Sequence, residues 1–175
     1  MPEKNNLLLI MMIAIVILLS RLFPHAPNFS PLIAAVLFTA VYADKKLFFL
    51  PFIALFISDL FIGFYTLGVM FSVYASLGLT FLIGALLKKH KNTLNILSGS
   101  LFSALLFFLF TNFAVWYFGN WYAHDLNGLA LSYSLAIPFF RSTVLSTVFY
   151  STVLFGTYEL VSLIISKKKL TLEKN

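Results

Sequence analysis

Four polar side chains stand within or next to strongly apolar segments of this sequence: Arg21, Asp59, Asn112 and Arg141. An ionised side chain near the middle of a bilayer costs about 2.5–3.5 kcal/mol even on the gentler insertion scale, so these residues need a structural or functional reason. Their chemistry suits recognition. The arginines can hold acidic groups, Asp59 can neutralise an arginine or accept a hydrogen bond, and Asn112 can add specificity.

Two interpretations of these four residues stay open. In the first, Asp59 forms a structural ion pair with Arg21 or Arg141, and Asn112 bonds a neighbouring helix. In the second, the same residues line an outward-facing pocket beneath an aromatic loop. The second interpretation adds pocket residues from the outer connections, namely His25, Asn28, Trp116, Trp121, Tyr122, His124 and Asp125.

The composition indicates that these residues are positioned by membrane helices. The chain of 175 residues is 61% hydrophobic and 10% charged, with a mean hydropathy of +0.96, far from the usage of soluble proteins. We predict an all-α polytopic membrane protein, a six-helix transmembrane bundle that forms one domain over residues 1–175. The predicted spans are about 7–22, 31–46, 50–64, 69–88, 97–117 and 137–166. The second falls short of about 30 Å of hydrocarbon. Either Lys45 and Lys46 extend to the inner surface, or the segment Asn28-Phe29-Ser30 lies below the outer surface.

The basic residues predict the orientation. All ten lysines fall before the first predicted span, in the second-to-third and fourth-to-fifth connections, or after the sixth span, whereas only Arg21 and Arg141 lie on the other side. By the positive-inside rule, we expect both termini to be cytoplasmic in a multi-pass protein of an inner (plasma) membrane. The net charge of +6 is therefore a topology signal, and we expect the lipid bilayer rather than nucleic acid as the macromolecular environment.

Enzyme signatures are missing from the sequence. There is no cysteine and no His-Glu-x-x-His, Gly-x-Ser-x-Gly or P-loop pattern, so the chain lacks the minimal parts for thiolate, metalloprotease, serine hydrolase or P-loop chemistry. His25 and His124 on two loops are a weak metal signal. We expect no enzyme activity, no metal and no cofactor, and Glu159 is expected to lie near the Lys167–Lys169 run.

Small residues recur at helical spacing in two predicted spans. Span four carries Ser72, Ser76, Thr80 and Gly84, and span two carries Ala35, Thr39 and Ala43. Such faces allow close contact between helices. Packing inside the bundle is the simpler interpretation, and docking of a partner protein on the span-two face is the alternative. The connection 117–136 is predicted as a long outer loop, a length more typical of functional lids.

Several segments together resemble an uncharacterised family of small bacterial membrane proteins: Arg21-x-x-Pro24, "PNFSP" at 27–31, "ISDLFIGFY" at 57–65, "TNFAVW" at 111–116 and "IPFFRSTVLSTVFY" at 137–150. That family in turn is similar to the S components of energy-coupling factor (ECF) vitamin transporters, which are six-helix binding proteins with both termini inside. This resemblance implies capture of a scarce micronutrient and, as partner, an ECF-type coupling subunit with ATPases. Span one has only Ala14 where S components often carry an Ala-x-x-x-Ala docking motif.

We therefore expect a substrate-binding and uptake protein for a vitamin-like or cofactor-like small solute. Arg21 and Arg141 would hold acidic groups of the solute, Asp59 would orient an arginine, and the aromatic residues would cover the ligand. The alternative is a non-transporting structural or assembly factor that binds a partner membrane protein. A third possibility is a membrane enzyme that uses Asp59 or His124 on a lipid or a quinone.

Overall fold

The computed structural model of the chain describes residues 3–23, 26–43 and 47–172. Over these residues it is all-α, with six helices and no strand. The predicted residue His25 lies outside the described residues. The helices are α1 (Glu3–Leu22), α2 (Leu32–Tyr42), α3 (Leu50–Ile62), α4 (Leu67–Leu87), α5 (Thr93–Phe118) and α6 (Leu126–Leu172).

The long helices α4, α5 and α6 pack side by side in antiparallel order. A side chain at Gly99 of α5 would meet Leu87 Cδ1 of α4 at 2.5 Å, so glycine allows the two helices to approach. The hydroxyls of Ser100 and Ser151 lie 2.8 Å apart between α5 and α6. Helices α1 and α3 pack against each other beside this group.

Helix α2 is the centre of the bundle. It contacts each of the other five helices, and every residue from Leu32 to Val41 is buried. Its sequence "LIAAVLFTAVY" explains this position, because a helix that is apolar all round has no face to present to water. With 11 residues, α2 is about 16 Å long. It is the shortest of the six described helices, since α3 has 13 residues and each of the other four has at least 20.

The small residues of α4 face α2. Ser72, Ser76, Thr80 and Gly84 are buried, and an added Cβ at Gly84 would lie 2.5 Å from Ala40 Cβ and 2.9 Å from the Leu37 carbonyl oxygen. The three hydroxyls donate to carbonyls of their own helix, at Val69, Ser72 and Ser76. This satisfies them without a partner on another helix. The prediction of close helix packing on this face is confirmed.

Three helices are long and apolar enough to cross a membrane, namely α4, α5 and α6 over Leu126–Lys167. The other apolar helical segments among the described residues are shorter, at Met11–Leu22, Leu32–Tyr42 and Leu50–Ile62. The structure is therefore compatible with a membrane protein.

Helix α6 differs from the sequence-based expectation at its start. The predicted connection 117–136 is reduced to Gly119–Asp125, and the helix begins at Leu126. Asp125 explains the start: its Oδ1 accepts a 2.7 Å hydrogen bond from the Gly128 amide, as an N-cap does. Pro138, the second residue of the predicted sixth span 137–166, lies inside the helix. With 47 residues, α6 is about 70 Å long.

The bundle has two ends, the Arg21 end and the Lys88 end. At the Arg21 end, α1, α3 and α5 end and the loop to α2 begins. At the Lys88 end, α4 ends and α5 begins. The connection between α1 and α2 reaches far into the bundle from the Arg21 end, because Asn28 and Ser30 lie beside Thr143 and Ser146 of α6, well past the first residue of that helix.

The α2–α4 contact predicts opposite effects for two glycines of α4. Gly84→Ala places a methyl group against Ala40 and Leu37, so we expect it to lower the free energy of unfolding by about 1–3 kcal/mol, the usual cost of overpacking. Gly78→Ala is the control, since an added Cβ there meets nothing within 4 Å and alanine gains up to about 1 kcal/mol in a helix. Thermal unfolding in detergent measures both, and equal stability of the two variants would contradict the packing.

Candidate functional site

A buried ion pair stands at the Arg21 end. Arg21 Nη2 lies 2.6 Å from Asp59 Oδ1, and Arg21 Nε donates to Ser58 Oγ at 2.6 Å. The hydroxyl of Tyr74 donates to the other carboxylate oxygen, Oδ2, at 3.0 Å. The Asp59 side chain is 1% exposed and that of Arg21 is 22% exposed. One carboxylate thus joins α1, α3 and α4.

Asp59 forms its ion pair with Arg21 rather than with Arg141. The sequence left Arg21 and Arg141 as equal candidates, and the structure selects Arg21. Arg141 is exposed and makes no hydrogen bond or ion pair with another residue that the structure describes. On α6 it stands two positions from Thr143, about 200° around the helix, and so faces away from the cavity that Thr143 lines.

A cavity of about 280 Å³ opens beside this ion pair, and we name it the Arg21 cavity. Five of the six helices and the α1–α2 connection contribute to its wall. Its polar lining consists of Arg21, Asn28, Ser30, Thr143 and Ser146. Its apolar lining consists of Leu32, Ile33, Ile62 and Phe107. The first turn of α2 therefore forms one wall, and Asp59 holds the Arg21 guanidinium in another.

Asn28 has the left-handed backbone conformation, with φ of 59°, and among the described residues no other non-glycine residue has a positive φ. Asparagine tolerates this conformation better than most residues. The turn is closed by a 3.0 Å bond from the Phe29 amide to the Ala26 carbonyl. The ring of Phe29 then packs on Tyr150, with ring centroids 5.7 Å apart. This anchors the connection on α6.

A second cavity of about 330 Å³, the Asn112 cavity, adjoins the first, because Asn28, Phe107 and Thr143 line both. Asn112 lies on its wall with Thr111. The Asn112 amide nitrogen donates to the Phe108 carbonyl of its own helix at 2.8 Å. Its carbonyl oxygen is the acceptor that this bond does not use. The structure thus brings Arg21, Asn28 and Asn112 to one connected region.

A third cavity of about 170 Å³, the Trp121 cavity, meets the Asn112 cavity at Val115. Trp121 is 86% exposed on its rim, and Tyr65 lines it as well. Burial raises the pKa of Tyr65 to about 12; the negative charge of Asp59 adds to this and Arg21 opposes it. The Tyr65 hydroxyl is therefore protonated at neutral pH and can donate a hydrogen bond.

The remaining aromatic residues belong to the connection between α5 and α6. Trp116 Nε1 donates to the Ala123 carbonyl at 2.9 Å, and His124 Nε2 lies 3.0 Å from the Gly119 carbonyl oxygen. Tyr122 is half-buried nearby. None of the three lines the Arg21 or the Asn112 cavity. Trp116 and His124 hold the short connection together, and Trp121 reaches only the outermost of the three cavities.

The small residues proposed as a docking face are inside the bundle. Ala35, Thr39 and Ala43 are buried, with exposed fractions of at most 4%. Other helices cover most of α2, although Thr39 and Ala43 line a cavity of about 410 Å³ with Phe81 and Lys88. Their small side chains serve internal packing instead.

Several residues of this site were not predicted from the sequence. Ser58 and Tyr74 complete the shell around the ion pair, and Thr143 and Ser146 line the Arg21 cavity from α6. The spacing of Thr143 and Ser146, three residues apart on one helical face, is the signal that could have indicated them. Many other Ser and Thr residues of the chain share such spacing, so it does not single them out.

The arrangement is suited to holding a small polar molecule. The charges of Arg21 and Asp59 compensate each other, so the cavity offers hydrogen-bonding groups rather than a strong net charge. Among the described residues there is no group of three or more His, Asp or Glu side chains that could hold a metal ion. Phe107, Ile33 and Ile62 supply apolar contact area, as in most small-molecule sites.

The ion pair predicts a large effect of removing one partner. Arg21→Met leaves the buried Asp59 carboxylate without its cation, so we expect a loss of about 3–5 kcal/mol in the free energy of unfolding. The double variant Arg21→Met with Asp59→Leu should regain most of this loss. Arg141→Met is the matched control and should change the midpoint of thermal unfolding little. A loss of equal size in Arg141→Met would contradict the pairing.

Asn28 gives a backbone test of the connection. Asn28→Ala keeps a Cβ in the left-handed conformation but loses the short polar side chain that lets asparagine adopt it, so it should cost about 1 kcal/mol. Asn28→Gly removes the same amide without this cost. Thermal unfolding should rank the glycine variant above the alanine variant, and the reverse order would contradict the conformation of this turn.

Comparison with known sequences and structures adds one finding. Curated proteins and solved structures give no significant match. A family model, described as Family of unknown function (DUF6580), matches residues 2–170. Because this match includes nearly the whole chain and all three cavities, the protein belongs to the DUF6580 family.

Proposed function

We propose that the chain is an integral membrane protein that binds a small vitamin-like or cofactor-like solute in the Arg21 cavity and takes part in its uptake. The observation that carries this proposal is the row of three neighbouring cavities, each sharing lining residues with the next, from Trp121 past Asn112 to Arg21 and the first turn of α2. Solute sites are typically preformed concave regions with a few convergent polar groups.

The bonds around the ion pair support solute binding, because they hold the Arg21 guanidinium in one position. Arg21 is held by Asp59 and Ser58, and Asp59 is held by Tyr74. A guanidinium fixed on two sides loses little side-chain freedom when a ligand accepts a hydrogen bond from it, and such preorganisation favours affinity. In this proposal Arg21 and Asn112 contact the solute, whereas Asp59 positions Arg21 and lies behind the wall.

The cellular setting is part of the proposal. Six crossings, cytoplasmic termini and a bacterial inner membrane are supported by the lysine distribution and by the resemblance to S components of ECF transporters. In this orientation the Arg21 end faces outward and the solute enters past Trp121. An ECF-type coupling subunit with ATPases is the partner that the resemblance implies, although Ala35, Thr39 and Ala43 are covered and would not form its docking surface.

The alternative function is a structural or assembly factor for another membrane protein. Because Ala35, Thr39 and Ala43 are buried, such a factor would bind its partner through another surface. A stable membrane partner without an ATPase, recovered by crosslinking, would favour this alternative over solute uptake.

The solute site predicts a specific loss of binding. Mass spectrometry of the purified protein should identify a co-purified solute, which then serves as ligand in a thermal-shift titration. Thr143→Val removes a hydroxyl from the cavity wall, so we expect about a threefold to tenfold higher Kd, the value of one hydrogen bond. The control Thr80→Val makes the same change at a buried threonine that also bonds to its own helix, but outside the cavities.

Equal Kd values for Thr143→Val and Thr80→Val would contradict the site. So would the absence of any co-purified solute combined with no thermal shift by any tested micronutrient. Uptake assays on the same two variants separate binding from transport.

A further inference from the structure

A larger groove lies at the Lys88 end, far from the cavities described above. It has a volume of about 520 Å³ and runs between the beginning of α5 and the second half of α6. Its mouth carries Lys91, Asn92 and Thr93 together with Glu159. Its interior is lined by Ile96, Leu97 and Phe155. Ser151 and Thr152 line it as well, and their hydroxyls are bonded to Ser100 and to the Val148 carbonyl. The groove is therefore charged at its mouth and mainly apolar beyond it.

Tyr42 fixes the two charges at the mouth. The Nζ of Lys91 lies 4.6 Å from the centroid of the Tyr42 ring, a cation–π contact. The hydroxyl of the same tyrosine bonds Glu159 Oε1. Tyr42 itself is packed between Phe38 and Tyr158, with ring centroids at 5.0 and 4.1 Å. Tyr42 thus holds a cation over its ring and a carboxylate at its hydroxyl group.

The distribution of groups indicates the chemistry of the ligand. One cation and one anion at the mouth match a headgroup that carries one negative and one positive charge. The apolar residues that follow Lys91 along α5 match a hydrocarbon chain directed toward the middle of the bundle. A soluble zwitterion without an acyl chain would leave Ile96, Leu97 and Phe155 without an apolar partner. A headgroup that carries only a negative charge would offer no cation to Glu159.

We propose that this groove binds a phospholipid whose headgroup combines a phosphate with a primary ammonium group, as in phosphatidylethanolamine. Lys91 and Thr93 donate hydrogen bonds to the phosphate, Glu159 accepts from the ammonium, and one acyl chain lies along Ile96, Leu97 and Phe155. The site is independent of the Arg21 cavity, so it stands or falls separately from the proposed solute binding.

A larger side chain at Gly156 tests the position of the acyl chain, because it would fill part of the groove. It lines the groove, and an added Cβ there meets nothing within 4 Å, so Gly156→Leu places a side chain in the space of the acyl chain. The matched control is Gly78→Leu on α4, where a Cβ also meets nothing within 4 Å. Native mass spectrometry after exchange into detergent with added phosphatidylethanolamine should show about tenfold less retained lipid for Gly156→Leu, the equivalent of about two methylene groups no longer buried. Gly78→Leu should retain as much as the unchanged protein.

A substitution of an exposed lysine tests the assigned headgroup contact and leaves the buried core unchanged. Lys91→Gln alters an exposed side chain and should lower retention of phosphatidylethanolamine about tenfold, the value of one charge-assisted hydrogen bond. Lys89→Gln, at another exposed lysine outside the groove, should not lower it. The unchanged protein should retain phosphatidylethanolamine in preference to phosphatidylglycerol.

Three results would overturn the proposal: equal retention by the Gly156→Leu and Gly78→Leu variants, equal retention of the two lipids by the unchanged protein, or equally tight binding of phosphoethanolamine without acyl chains. If Gly156→Leu fails to fold, the lysine pair decides, because equal retention by Lys91→Gln and Lys89→Gln excludes the assigned headgroup site.

Discussion

Burial of α2 on all its faces is the constraint on which the rest of the structure depends. A helix of 11 apolar residues is stable only when other helices surround it, and α2 contacts all five of the others. Because it is shorter than they are, space is left beyond its first turn. The α1–α2 connection and the Arg21 cavity occupy that space. At its other end α2 brings Tyr42 to Glu159, at the mouth of the groove between α5 and α6.

The Arg21–Asp59 pair shows how a charged group is accommodated in this apolar bundle. Each charge is expensive to remove from water, and the cost is offset only when the partner and further hydrogen bonds are in place. Ser58 and Tyr74 supply those bonds. The same arrangement ties α1 and α3 to α4 and presents one edge of the guanidinium to the cavity. Structural ion pair and cavity wall, which the sequence presented as alternatives, are thus two aspects of one group.

Much of this architecture could be predicted from the sequence, and particular residues show where prediction stopped. Apolar runs predicted each helix, and the predicted third span, 50–64, begins where α3 begins and ends two residues after it. The choice between Arg21 and Arg141 depended on which face of α6 carries Arg141, and no pattern in the sequence states how α6 is turned. Its early start at the Asp125 cap was missed because Pro138 was taken as a boundary. The small residues of α2 were ambiguous, since internal and external interfaces use the same spacing.

The hydroxyls of Ser72, Ser76 and Thr80 have a mechanical consequence. Because each donates to a carbonyl of its own helix, the face that α4 turns toward α2 has no directional bond across it at these positions. Packing sets the register at these positions, with Gly84 against Ala40, and beyond them Lys88 Nζ donates to the Ala43 carbonyl at 3.3 Å. By contrast, Ser100 and Ser151 lock α5 to α6. A small sliding of α2 along α4 therefore breaks no hydrogen bond at these three residues, and it would raise or lower the wall that α2 contributes to the Arg21 cavity.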